Sequence, residues 1–123
     1  MGNRSFVMYR DRYMVIEMRG AVVGSAQDTI PLQQYREAVA DYIHECQGKQ
    51  IMPRIIIDLG KVTYLNSNGI GTLVAMHSDV RRAKGKIVFA DIGKVIANVF
   101  VVTKLNQIFD MASMAEAEQK IEQ

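Results

Sequence analysis

Asn66-Ser67-Asn68-Gly69 is the segment of this chain best suited to chemistry. It follows Arg54-Ile-Ile-Ile-Asp-Leu-Gly-Lys-Val-Thr-Tyr-Leu65, which reads as a buried strand and a short connection, so the polar residues fall where a helix starts. The first turn of a helix leaves backbone N–H groups without intrahelical partners, and these together with the dipole favour negative charge. A serine at that point is well placed to take up or release a phosphate, which brings nearly two negative charges and three acceptor oxygens. The helix would tolerate the added charge, while a protein docking there would meet it uncompensated. Ser67 is therefore the candidate phosphoacceptor, with Asn66, Asn68, Gly69 and Gly71 as candidate partner contacts. The glycines keep the first turn slim, so that another backbone can come close. The same residues have a purely structural use: Asn66 or Ser67 as an N-cap, with the glycines easing helix packing.

The elements that must position this segment follow from hydrophobic periodicity. Ser5 to Tyr9 and Tyr13 to Arg19 read as strands of an opening hairpin; Met14, Ile16 and Met18 alternate with Val15, Glu17 and Arg19. Gly20 to Pro31 reads as a loop. Leu32 to Gln47 predicts a helix with Leu32, Tyr35, Val39, Tyr42 and Cys46 on one face and Gly48 as its stop. Arg54 to Leu59 predicts a strand covered on both faces. Ser67 to about Ala83 predicts a second helix with Ile70, Leu73, Val74, His77 and Val80 inward, closed by Gly85. Lys86 to Asp91 predicts a further interior strand. Lys94 to Leu105 predicts a helix with Val95, Ile96, Val99, Phe100 and Val102 facing inward. Ile108 to Met111 predicts a short edge strand, and Ser113 with Glu116 the capping box of a last helix. Strands separated by helices of this length imply right-handed crossovers and a largely parallel sheet.

With these elements around them, Asn66-Ser67-Asn68-Gly69-Ile70-Gly71 and the preceding Asp58-Leu59 resemble the signature of STAS domains. More narrowly they are similar to bacterial anti-sigma factor antagonists. In that family an apolar strand ending Asp-Leu leads through a short loop to Asp-Ser-Ser/Ala-Gly-Leu-Gly, and the phosphorylated serine falls on Ser67. The resemblance continues through Gly85-Lys-Ile-Val-Phe-Ala90, Leu105-Asn-Gln-Ile-Phe109, and Ser113, Glu116 and Ala117. It implies a single α/β domain over residues 1–123, with a mixed, mostly parallel sheet of four to five strands covered by about four helices. It also implies binding to a serine-kinase anti-sigma factor, which frees a sigma factor. Phosphorylation at Ser67 would break the complex and a cognate phosphatase would restore it. The chain would then be a substrate of enzymes and not an enzyme. An acidic residue before the first helix belongs to the family's binding face, and Asp28 is the nearest match.

Two departures from the family pattern stand out. Asn66 replaces an acidic residue, keeping the cap and losing the charge. The Gly20–Pro31 loop is a few residues longer than usual. The changed loop suggests a changed partner, and Asn66 admits a second role that the resemblance implies: a regulatory or scaffold subunit of a membrane transport system, such as a lipid-transfer ABC complex, without phosphorylation.

Other function classes find little support. The chain has 123 residues, 49% hydrophobic and 23% charged, with a formal net charge of +2. That length suits one core, and that charge is too small to argue for nucleic acid or membrane attachment. The lone Cys46 excludes an intramolecular disulfide and fits a reducing, cytoplasmic compartment. It lies on an apolar helix stripe and reads as a buried structural thiol. His44 and His77 fall on different helices, so no metal site is expected. No nucleotide-cradling loop or other cofactor motif appears. Arg81, Arg82, Lys84 and Lys86 read as a solvated basic cluster. An enzyme using Asp58, Ser67 and a histidine lacks a general base near Ser67 in the chain. A strand edge near the N-terminus could support a homodimer.

Overall fold

The elements in chain order are β1 (Val7–Tyr9), β2 (Met14–Glu17), β3 (Val22–Val23), α1 (Leu32–Gly48), β4 (Arg54–Asp58), β5 (Tyr64–Leu65), α2 (Ser67–Arg82), β6 (Lys86–Ala90), α3 (Lys94–Val102), a 3-10 turn (Leu105–Gln107), β7 (Asp110–Ala112) and α4 (Met114–Ile121). They come from a computed structural model that describes residues 4–20, 22–24 and 30–123. Five strands form one sheet in the order β1-β2-β4-β6-β7. β1 and β2 make the expected antiparallel hairpin, and every other neighbouring pair is parallel.

The unbroken Ile55-Ile56-Ile57 run is buried on both faces because helices cover both. Side chains alternate across the sheet. Ile55 and Ile57 enter the larger core with Tyr35 and Val39 of α1, Leu73 and Met76 of α2, and Ile96 and Phe100 of α3. Ile56 enters the smaller core with Tyr13, Val15, Val88 and Ala117 and Ile121 of α4. Three helices therefore pack on one face and one on the other, and Cys46 is buried as expected. Ser113 and Glu116 form the capping box.

Several boundaries differ from the sequence expectation. Gly48 is the last residue of α1 and not its stop; Gln50 takes the left-handed turn, at φ 58°. After α2 the left-handed residue is Lys84, at φ 59°. Gly85 serves close packing instead, since a Cβ there would lie 2.7 Å from the Pro53 carbonyl oxygen. α3 ends at Val102, and Leu105 belongs to the 3-10 turn beyond it. The edge strand β7 begins at Asp110, two residues later than expected.

α2 is also rotated by about one position. Its buried residues are Gly69, Thr72, Leu73, Met76 and Val80, while Val74 is exposed and His77 half-buried. The basic cluster divides between two tasks. Arg81 and Arg82 lie in the last turn of α2, where cations suit the dipole. Lys86 and Arg54 reach across the sheet to the end of α4. The Lys86 ammonium donates to the Lys120 carbonyl, and Arg54 donates to the carbonyls of Ile121 and Gln123.

His77 sits at the rim of the core, its ring 5.1 Å from Phe109 and 6.5 Å from Phe89. Burial, and secondarily the Arg81 guanidinium, pushes its pKa below the usual imidazole value. The folded chain thus holds a proton on His77 less well than the unfolded chain does. Acid therefore favours unfolding, and stability is lost as pH falls from the ordinary value of about 6.5 through the lowered one. Thermal melts in that window are expected to show a falling midpoint for the wild type and a flatter profile for His77→Phe. An equal fall in both would remove His77 as the cause.

Candidate functional site

The start of α2 is built by three segments that meet beyond the carboxyl end of β4. At that end the Asp58 carboxylate accepts the Gly60 N–H at 2.9 Å, turning the chain out of the sheet. Asp58 thus serves as a turn residue. The chain then forms β5, which pairs in parallel with β3 in a separate two-stranded sheet. Val23 and Leu65 point inward and are buried, while their strand neighbours Val22 and Tyr64, in register with each other, are 38% and 46% exposed. Part of the segment expected to be loop is therefore a strand that braces the helix start.

Asn66 is the N-cap. Its backbone is extended, at φ −84° and ψ −178°, and its side-chain oxygen accepts the Gly69 N–H at 3.0 Å. The Asn66 N–H donates to the Val23 carbonyl at 3.1 Å. Capping thus falls to Asn66, which leaves Ser67 as the first helical residue. Ser67 and Asn68 are exposed, and the Ser67 hydroxyl makes no hydrogen bond to any described residue. The first turn of α2 holds no acidic side chain.

The two glycines of the motif do different things. Gly69 is buried, and a Cβ there would lie 2.6 Å from the Val23 carbonyl oxygen. The close backbone approach anticipated at Gly69 is thus made by the chain's own β3. Gly71 is exposed, and a Cβ there would meet nothing within 4 Å. Only Gly71 of the pair leaves room for an outside backbone. This arrangement also explains the rotation of α2, because Gly69 must face β3.

The structure thus brings Asn66, Ser67, Asn68, Gly69 and Gly71 together on one turn. Asp28 lies outside the described residues. Sequence reasoning missed Gly24, whose φ is +99° and whose missing Cβ leaves space for the Asn66 side chain. It also missed Val22 and Tyr64 at the rim. The adjacent β-branched pair Val22-Val23 ahead of a glycine was the available signal. Among the described residues no three His, Cys, Asp or Glu side chains converge as a metal-ligand set. No helix there is long and apolar enough to cross a membrane.

Fold and site together define a small α/β domain that presents the capped start of a helix just beyond a mostly parallel sheet. The chain belongs to the STAS domain family, whose profile matches residues 10–120. It is similar to BtrV of Bordetella bronchiseptica, named as an anti-sigma factor antagonist, at 27% identity over 64 residues. That match covers 52% of this chain and 55% of BtrV, so the chain spans about half the length of that relative. A Thermotoga maritima protein named as an anti-sigma factor antagonist superposes with a TM-score of 0.72 at 14% identity, covering 95% of this chain and 93% of that one. The anti-sigma factor antagonist SpoIIAA in its unphosphorylated form superposes with a TM-score of 0.70 at 18% identity, covering 94% of each chain. The phosphorylated form of SpoIIAA, from Bacillus, superposes with a TM-score of 0.64 at 16% identity, covering 93% of this chain and 95% of that one. At these identities the structural likeness establishes an anti-sigma factor antagonist-like STAS fold.

Proposed function

We propose that this chain acts as a phosphorylation-switched anti-sigma factor antagonist, a single interaction domain of the cytoplasm and not an enzyme. In this reading it binds a serine-kinase anti-sigma factor and so frees a sigma factor. Phosphate on Ser67 dissociates the complex, and a phosphatase resets it. Asn66, Asn68 and Gly71 contact the partner, Gly69 shapes the turn beneath them, and Asp28 adds a contact from the loop before α1. One observation carries the proposal: the exposed Ser67 hydroxyl lies in the first turn of a helix whose cap is supplied by Asn66. Helix integrity therefore does not depend on Ser67, so a charge added there changes the surface and leaves the scaffold in place. The likeness to SpoIIAA, which is known in phosphorylated and unphosphorylated forms, supports the same reading.

Mass spectrometry of the protein isolated from its own cells tests it. The expected result is a Ser67-containing peptide carrying phosphate in part of the population, with a serine kinase among the copurifying proteins. A phosphate-free Ser67 across growth conditions, together with no kinase, would sink the proposal. The uncharged Asn66 favours a second reading, a scaffold subunit of a membrane transport system. Copurification of a transporter subunit in place of a kinase would decide for it.

A further inference from the structure

The valines left outside on α3, which was expected to turn Val95, Val99 and Val102 inward but buries only Ile96 and Phe100, lie beside β5 and the Ser67 segment. The opposite pole of the molecule has a different character. It is formed where the parallel strands begin. The β1–β2 turn lies there, residues 49–53 lead from α1 into β4, and residues 83–85 lead from α2 into β6. These connections adjoin one another. The Pro53 carbonyl accepts the Lys86 N–H at 2.8 Å, and Tyr9, Arg10, Arg12, Lys49 and Ile51 line one groove of about 270 Å³. α2 runs 16 residues from Ser67 to its last turn, so this pole lies ~24 Å from Ser67.

Charge is segregated at the pole. Residues 46–57 and 80–90 contain no acid. Arg10, Arg12, Lys49 and Lys84 are exposed in the three connections, against the single acid Asp11. The other carboxylates nearby are engaged or lie at the margin. Glu45 pairs with Lys49 at 3.0 Å, Asp79 pairs with Arg36 and Arg82, Glu118 accepts the Tyr13 hydroxyl, and Glu122 follows α4. Arg10, Arg12 and Lys84 form no ion pair with any described carboxylate. At the carboxyl ends of the strands, by contrast, Glu17 and Asp58 stand against Arg19 and Lys61. The net charge of +2 over the whole chain conceals this polarity. Among the cations stand exposed apolar side chains: Ile51 is 54% exposed, Met52 40% and Tyr9 59%.

We propose that this pole is a docking surface for an anionic lipid bilayer. Arg10, Arg12, Lys49 and Lys84 would meet lipid phosphates while Ile51 and Met52 enter the boundary between headgroups and acyl chains. Stable peripheral attachment takes two signals, one apolar and one basic, and the pole supplies both. Nucleic acid fits less well, because bases stack on aromatic or guanidinium planes and not on Ile51 and Met52. The surface lies at the far end of α2 from Ser67, and the proposal does not rest on the phosphorylation reading.

The chain contains no Trp, so Ile51→Trp places a single indole at the proposed contact. Its emission is expected to shift to the blue on vesicles of phosphatidylcholine with about 30% phosphatidylglycerol and to stay in place on phosphatidylcholine alone. Val74→Trp, on the exposed side of α2, is expected to show no shift on either. Cosedimentation of the wild type should give at least about tenfold tighter binding to the anionic vesicles, released at ~1 M salt, where the Debye length falls to about 3 Å. Arg12→Glu/Lys84→Glu should abolish that binding. Ile51→Ser/Met52→Ser should weaken it at least about tenfold at unchanged charge. All four positions are exposed, so melting temperatures should stay at the wild-type value. Ser67→Asp should bind vesicles like the wild type, which separates this result from any result at Ser67. An unshifted Ile51→Trp emission, equal binding to both kinds of vesicle, or full binding by Ile51→Ser/Met52→Ser overturns the proposal. So would tighter binding to labelled duplex DNA or to a glutamate-rich peptide than to the anionic vesicles, which would assign the pole to that partner.

Discussion

Ser67→Asp is expected to bind an anti-sigma kinase about a hundredfold more weakly than the wild type, a loss of ~3 kcal/mol, and to melt at the wild-type temperature. The two halves of this expectation have separate causes. Stability is spared because the cap is the Asn66 side chain, bonded to the Gly69 N–H, and because Ser67 is exposed without a described hydrogen-bond partner. The first turn holds no other acid, so one carboxylate there gains slightly from the dipole and meets no like charge within that turn. Affinity is lost because a docked partner would bury a charge that the neutral serine does not carry. Ser67→Ala is expected to bind like the wild type and to take up no phosphate from the kinase. Isothermal titration and chemical denaturation on the same three preparations separate the two effects. Undiminished binding by the Asp variant would end the charge-repulsion account. A destabilised Asp variant would make Ser67 a structural residue.

How far the sequence disclosed this site depends on the kind of interaction involved. The strand Ile55-Ile56-Ile57, the capping box at Ser113 and the start of α2 were all legible, because each is written in neighbouring residues. β3 and β5 were not. They are two residues each and hold their shape through pairing with one another across more than forty positions, a contact that no local period records. The inward stripe of α2 was misjudged for the same reason. Its rotation is set by the approach of Gly69 to the Val23 carbonyl, and hydrophobicity alone placed Val74 inside. α3 failed in a different way. Its valines are apolar on nearly every side, so their pattern could not indicate which of them the sheet would cover. Gly85 was read as a helix stop from its residue type, whereas its actual constraint is the space taken by Pro53.

The brace behind Ser67 can be tested by making Gly24→Ala and Asn66→Ala singly and together. Gly24→Ala alone is expected to cost ~3 kcal/mol, from a left-handed φ that disfavours a side chain and from direct overlap. Its methyl carbon would stand 1.9 Å from the Asn66 side-chain oxygen and 2.7 Å from the Gly69 nitrogen, so Asn66 must swing away. That movement breaks the cap, and the Gly24→Ala cost therefore already contains the cap loss. Asn66→Ala alone is expected to cost ~1 kcal/mol, the usual value of an N-cap side chain. The double variant should then fall short of the sum of the singles by ~1 kcal/mol, because the second substitution removes a group the first has already displaced. It should not recover further, since the contact with the Gly69 nitrogen and the strained φ both remain. Urea denaturation midpoints for the four proteins supply the comparison. Strict additivity would mean that β3 moves off the helix as a unit and leaves Asn66 in place. In that case the strand would be a lining of the site and not its brace.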